Sequence, residues 1–174
     1  MESTVVTSLY NSPCGELLLG SWNGKLCLCD WNYPQRREKI DHRIKRALRA
    51  DYVKGVSEVI WQAKEQLDEY FLGRRISFSL PLLFVGTDFQ KRVWQSLLRI
   101  PYGHTHYYIE QASALGIPEA VRAVAAANGA NALSIVVPCH RIVGKDGSLT
   151  GYAGGLQAKR FLLDLEKQEK SLSQ

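Results

Sequence analysis

Cys139 follows the apolar run Leu133-Ser134-Ile135-Val136-Val137 and Pro138, with His140 and Arg141 directly after it. A thiol next to an imidazole pairs a nucleophile with a base. A neighbouring imidazolium and oriented backbone dipoles lower a thiol pKa from ~8.5 to roughly 3.5–7.5, which makes the reactive thiolate abundant at neutral pH. The competing reading is a buried structural cysteine, the commoner fate of a free thiol. The local residues alone leave both open.

The elements that must position this thiol can be read from the same stretch. Leu133 to Val137 is short, continuous and rich in β-branched residues, so it is expected to be a strand buried on both faces and ended by Pro138, which has no N–H for a ladder. Adjacent residues of an extended segment point to opposite sides, so no direct bond between Cys139 and His140 is expected. Upstream, Thr87-Asp88-Phe89-Gln90 fits a capping box, and Phe89, Val93, Trp94, Leu97 and Leu98 form one apolar helical stripe closed by Pro101. Two short helices follow, about residues 109–115 and 119–128, joined by Gly116-Ile117-Pro118. Gly116 suits a left-handed turn and Pro118 a first helical turn, which reads as helix-turn-helix or as a plain helical hairpin. The second helix is built of alanines with Arg122 as its one long cation. Such a surface suits close packing on another helix, or close approach to a minor groove with Arg122 entering the stack.

The first half differs in character. Residues 5–10, 17–22 and 25–31 read as strands, the last two joined by Asn23-Gly24, a type I′ hairpin signal. A basic segment, 36–54, carries eight Lys or Arg against three acids and accounts for the whole formal excess of +5. Ile40, Ile44, Ala47 and Leu48 recur within it at helical spacing, so it reads as an amphipathic helix with a solvated basic face. Residues 57–72 form a second helix capped by Ser57 and stopped by Gly73, and 76–85 an edge strand or linker around Pro81. The chain is thus expected to be mixed α/β (α+β). A small sheet-plus-helices domain would span 1–83, and a mainly helical domain, with helix-turn-helix and the cysteine strand, would span 84–174.

With 174 residues, 45% hydrophobic and 22% charged, the composition is that of a globular protein. No apolar run approaches the ~18 residues that span a bilayer. The N-terminus lacks a signal-peptide pattern, so the expected location is cytoplasmic, or nuclear in a eukaryote. Cys14, Cys27, Cys29 and Cys139 are expected to be free thiols. Hairpin register about Asn23-Gly24 places Cys27 opposite Gly20 and Cys29 opposite Leu18, with Cys14 off the end, which argues for core thiols over a zinc site. His104 and His106 alternate on an extended stretch without a third ligand nearby, so no metal is expected there.

Taken in order, these motifs resemble the O6-alkylguanine-DNA alkyltransferases: Ile100-Pro101-Tyr102-Gly103, Arg122-Ala123-Val124, Asn131, Pro138-Cys139-His140-Arg141, Gly151-Tyr152-Ala153-Gly154-Gly155, and Leu162-Leu163-Asp164-Leu165-Glu166. The likeness is close over 89–166. It is weaker before residue 84, where Ser12-Pro13-Cys14-Gly15-Glu16-Leu17 carries it. The resemblance implies that the protein flips an O6-alkylguanine, with O4-alkylthymine as a second candidate lesion, from double-stranded DNA. The alkyl group would pass irreversibly to Cys139, without cofactor or metal and as a monomer. It implies a relay in which His140 takes the thiol proton through a water and Glu166 orients the imidazole. Tyr108 would turn the 3′ phosphate and donate toward the base, and Arg122 would fill the vacated stack. Ala123, Asn131 and Arg141 fall among the DNA-binding positions, with Asn131 bracing the turn before the cysteine. Tyr152, Ala153, Gly154 and Lys159 fall in the base pocket, where Gly154 and Gly155 should leave room for groups larger than methyl. His104 and Tyr107 depart from the family's usual glutamate and serine.

Two other functions fit parts of the pattern. A lesion-binding protein without chemistry would use the same scaffold, but Cys139 argues against it. A Cys-His-Glu thiol hydrolase would explain the triad and leave the alanine-rich helix and Arg122 without a purpose.

Overall fold

The computed structural model describes residues 3–172, with side chains through 168. The chain divides into two compact units, Met1–Gly86 and Thr87–Gln174. The mixed α/β class is borne out, with a small sheet in the first unit and helices dominating the second.

In the first unit β1 (Thr4–Ser12), β2 (Gly15–Trp22) and β3 (Lys25–Trp31) form an antiparallel meander. Asn23 and Gly24 both take positive φ, 50° and 75°, as a type I′ hairpin requires. The sheet order is β3-β2-β1-β4, with β4 (Asp51–Lys54) parallel to β1. Helix α1 (Pro34–Leu48) supplies the crossover, and α2 (Glu58–Phe71) buries Val59, Ile60, Ala63, Leu67 and Tyr70. Ser57 Oγ caps α2 by accepting from the Ile60 N–H at 3.3 Å. Residues 76–85 run along the outer edge of β3 through a single parallel bridge, Leu26 to Leu82.

Two expectations for this unit are corrected. A β-bulge at Gly20/Ser21 shifts the hairpin register, so Gly20 faces Leu28 and Cys29 faces Leu19. The extra residue is Cys27, whose thiol donates to the Gly20 carbonyl at 3.6 Å. A Cβ on Gly20 would stand 3.0 Å from Leu28 Cβ, so this close approach needs glycine. Burial pushes the Cys27 thiol up to about 12, and burial beside Asp30 pushes Cys29 up as well, so both are inert neutral thiols.

The basic segment is not one solvated helix. It ends at Leu48, Arg49 takes φ 51°, and Asp51–Lys54 joins the sheet. Arg36 and Arg37 close on the fully buried Asp30, with Arg36 Nε at 2.9 Å, while Arg37 also reaches Asp41 at 3.1 Å. Burial lowers the Arg43 pKa. The exposed cations of α1 and its cap are therefore Lys39, Lys45, Arg46 and Arg49.

The second unit contains α3 (Asp88–Leu97), β5 (His106–Tyr107), α4 (Tyr108–Ala114), α5 (Val121–Gly129), β6 (Ile142–Val143) and α6 (Leu156–Leu172). Thr87 and Gln90 form the capping box of α3. Trp94 Nε1 donates to the Ala127 carbonyl at 2.8 Å, tying α3 to α5. The Gln111 and Asn128 side-chain amides exchange two buried hydrogen bonds, 2.9 and 2.7 Å, and tie α4 to α5. Gly116 takes φ 78° and Pro118 opens a short 3-10 turn, giving the helix-turn-helix connection.

Candidate active site

The residues before Cys139 form no strand. Ile135 has φ 71°, and the Val136 N–H bonds the Ser134 carbonyl at 2.8 Å, closing a three-residue turn of the rare, strained kind. Two neighbouring β-branched residues do not hold the chain extended, because the Ile135 side chain is buried by turning inward and Asn131 organises the loop. Asn131 Oδ1 accepts from the Leu133 N–H at 2.9 Å, while its Nδ2 donates to the Val137 carbonyl at 2.9 Å. A second tight turn at Pro138 (φ −84°, ψ 64°) brings the Cys139 N–H to the same Val137 carbonyl at 2.9 Å. Cys139 then opens a 3-10 turn, Cys139–Arg141, and its Sγ lies 3.4 Å from Asn131 Nδ2. Asn131 thus sets both the backbone and the thiol. Because it is 1% exposed, it stands in the interior and not among groups free to touch DNA.

Behind the thiol lies a buried charged cluster. His140 Nε2 and Glu166 Oε2 are 2.6 Å apart, and both residues are essentially without solvent contact. Arg141 grips the same carboxylate through Nε at 2.8 Å and an Nη at 3.1 Å, and its other Nη donates to the Ile100 carbonyl at 2.7 Å. The Gly103 N–H adds a long contact at 3.4 Å. The expectation that Arg141 binds DNA is therefore corrected: the residue is 7% exposed and its guanidinium is spent on Glu166 and Ile100. Neighbouring residues of the 3-10 turn both reach α6, an arrangement that adjacent strand positions would forbid.

Burial lowers the His140 pKa, opposed by Glu166 and reinforced by Arg141 and Lys159. Burial pushes Glu166 upward, but His140 and Arg141 together hold it well below the usual carboxylate range. Burial is the largest influence and disfavours the charged imidazole; a neutral His140 that donates from Nε2 to Glu166 would keep Nδ1 as an acceptor. Among the described residues Nδ1 has no hydrogen-bond partner. Cys139 and His140 make no direct bond, so a proton passing between them needs a bridging water.

These shifts fix the acid sensitivity of the fold. Burial disfavours a protonated His140 in the fold, and His140 and Arg141 favour an ionised Glu166, so the unfolded chain binds more protons below the unfolded His value of ~6.5 and below the unfolded Glu value of ~4.3. Stability is expected to fall as pH drops through ~6.5, and to fall again below ~4.3. Thermal unfolding across this range tests it: the first loss should vanish in His140→Gln, and an unchanged first loss in that variant would contradict it.

A cavity of about 470 Å³ opens beside the thiol, lined by Tyr108, Ala125, Asn128, Gly129, Cys139, Thr150, Gly151, Tyr152 and Ala153. Of the expected pocket residues, Tyr152 and Ala153 line it, whereas Gly154 and Lys159 do not. Gly155 is exposed with φ 90°, and a Cβ on it would meet nothing, so its value lies in starting α6 rather than in thinning a wall. The thin wall is Gly129 and Gly151. Lys159, 1% exposed, donates instead to the Thr150 carbonyl at 3.2 Å, and burial lowers its pKa against an attraction from Cys139. Thr150, which no sequence signal singled out, donates through Oγ1 to the Tyr108 hydroxyl at 3.1 Å. Arg122 and Ala123 stand exposed on α5, whose Ala125, Asn128 and Gly129 reach the cavity. His104 is exposed and His106 pairs with Ile142 in β5–β6; among the described residues no group of three His, Cys, Asp or Glu side chains could hold a metal ion.

Comparison with known proteins places this geometry. Residues 88–168 match the 6-O-methylguanine DNA methyltransferase DNA binding domain, and residues 5–84 match the ribonuclease-like domain of the same enzymes. The chain is 43% identical to the methylated-DNA–protein-cysteine methyltransferase of Methanosarcina barkeri, over 91% of this chain and 95% of that one. The Mycobacterium tuberculosis O6-methylguanine methyltransferase crystal structure superposes with a TM-score of 0.79 at 38% identity, covering 98% of this chain and 99% of that one. A crystal structure of the M. tuberculosis protein in complex with DNA aligns equally well, at 39% identity over 95% and 94% of the two chains. With both halves matched in order and the likeness running nearly end to end, the chain belongs to the 6-O-methylguanine DNA methyltransferase family.

Proposed function

We propose that this protein repairs DNA by direct reversal, taking the alkyl group of O6-alkylguanine onto Cys139 once per molecule. The observation that carries this reading is the thiol on the wall of a base-sized cavity with the buried His140–Glu166 pair behind it. An O6-alkyl group is enclosed in the stacked duplex, so the nucleotide must be turned out at a cost of about a few kcal/mol. Arg122 and Ala123 are exposed on α5; in this reading they meet the minor groove, with Arg122 filling the gap. The guanine would enter between Tyr108, Tyr152 and Gly129.

In the transfer, Sγ attacks the alkyl carbon and a carbon–sulfur bond forms as the carbon–O6 bond breaks. The thiol proton passes through a water to His140 Nδ1, and the resulting imidazolium faces the Glu166 carboxylate. The electron pair of the broken bond moves into the purine, whose growing negative charge the Tyr108 hydroxyl offsets by donating toward N3. The purine anion takes a proton from water on its ring nitrogen and leaves as guanine, and the His140 imidazolium returns its proton to solvent through the bridging water. The thioether has no easy leaving path, so the protein is consumed. The substrate places it where genomic DNA is, in the cytoplasm of a prokaryote or the nucleus of a eukaryote.

Incubation with duplex DNA containing O6-methylguanine is expected to stop at one methyl per protein, carried on the peptide containing Cys139. Repeated turnover would instead mark a hydrolase. Stable lesion binding with an unmodified thiol would mark a binder without chemistry.

A further inference from the structure

We propose that Thr150 is a positioning residue for the leaving group, acting through the Tyr108 hydroxyl. The inference rests on the reading that the cavity receives the base and that Tyr108 faces it. Thr150 sits on the loop before α6 and lines the same cavity as Tyr108 and Cys139. Its Oγ1 donates to the Tyr108 hydroxyl oxygen at 3.1 Å. Its carbonyl accepts from the buried Lys159 Nζ at 3.2 Å, so the loop is pinned to α6 at this residue. A β-branched side chain on a pinned backbone has few rotamers, which keeps the hydroxyl aimed.

The direction of that bond matters. A phenol has one proton and two lone pairs. When Thr150 donates to the phenol oxygen, the Tyr108 proton is left for the cavity. Donation into the oxygen also polarises the O–H outward and strengthens it as a donor. Charge on the departing purine appears only as the carbon–O6 bond breaks, so the stronger donor acts on the transition state and hardly on bound substrate. Thr150 should therefore control the rate of transfer and leave lesion affinity alone. The rest of its fixed geometry, from Lys159 to the cavity wall, has the same consequence: a loop that drifted would lose the bond before it lost the fold.

The test compares Thr150→Val, Thr150→Ser, Tyr108→Phe and the double variant Tyr108→Phe/Thr150→Val, each full length, with methylated duplex DNA in single-turnover kinetics. Valine keeps the shape and removes the hydroxyl. Thr150→Val is expected to transfer roughly tenfold more slowly at saturating DNA, the size of one net hydrogen bond, with DNA affinity within about twofold of wild type. Thr150→Ser is expected to restore most of the rate. In the Tyr108→Phe background, Thr150→Val should cause no further slowing. A Thr150→Val variant as fast as wild type beside a slow Tyr108→Phe would overturn the role of Thr150 alone. Equal slowing in both backgrounds, or loss of affinity in step with rate, would reduce Thr150 to a structural residue. Wild-type transfer by Tyr108→Phe would instead remove the reading of Tyr108 on which the inference stands.

Discussion

Replacing Cys139 with alanine is expected to abolish alkyl transfer while leaving lesion DNA bound. The other cysteines cannot substitute. Cys27 and Cys29 are buried in the first unit with raised pKa values, and burial also raises the Cys14 thiol despite its contact with Ser12. The thiol contributes little to the shape of its loop. Asn131 still holds the Val137 carbonyl and the Leu133 N–H, and the Pro138 turn is a backbone bond, so Cys139→Ala should keep both fold and cavity. Intact-mass analysis after incubation with O6-methylguanine DNA, paired with a binding titration, measures both halves of the expectation. Methyl transfer by the alanine variant would show that the acceptor lies elsewhere.

The second large effect is expected at Arg141, which lies next to the reacting residues without facing the cavity. Arg141→Met keeps much of the aliphatic volume and removes three hydrogen bonds, two of them to Glu166. Breaking one side of a buried ion pair costs about 3–5 kcal/mol, because the partner charge stays buried. Chemical unfolding of the second unit should show a loss of that order. The kinetic consequence has a separate signature. Without the guanidinium, the carboxylate draws a proton onto His140, and an imidazolium cannot accept the thiol proton. Transfer at neutral pH should slow and recover as pH rises. A variant that lost stability but kept the wild-type pH profile would confine Arg141 to a structural role.

The strained turn before Cys139 shows what such a cluster requires. A positive φ at a buried isoleucine is costly, about 1–3 kcal/mol, and persists only where its surroundings determine it. Here Asn131, the Pro138 turn and burial of Ile135 act together. The result is a thiol at a cavity wall with the His140 imidazole turned toward α6. An extended strand would also separate the two side chains, but it would send His140 and Arg141 to opposite faces. The 3-10 turn brings both to one carboxylate.

Much of this protein was legible in its sequence where the deciding forces are local. The Thr87–Gln90 capping box, the Ser57 cap, the Asn23-Gly24 hairpin and the Gly116 turn depend on residues within about four positions of one another, so composition and spacing suffice. The apolar stripes of α2 and α3 were equally clear, and the order of the motifs around Cys139 identified the family. Tertiary structure alone decided what depends on partners far apart in the chain. The resemblance puts Arg141 among the DNA contacts, and local sequence cannot correct that, because an arginine beside a nucleophile looks the same whether it meets a phosphate or a carboxylate 25 residues away. Leu133–Val137 looked like a strand because β-branched residues prefer one, and only packing and Asn131 overruled that preference. Thr150 carried no local signal, since its meaning comes from Tyr108, 42 positions earlier. The sequence by itself determined the capped helices and glycine turns that local residues fix, and which thiol stands at the centre. The long-range hydrogen bonds and the buried charges they satisfy decided which neighbours hold that thiol, the His140 imidazole and the cavity wall in place.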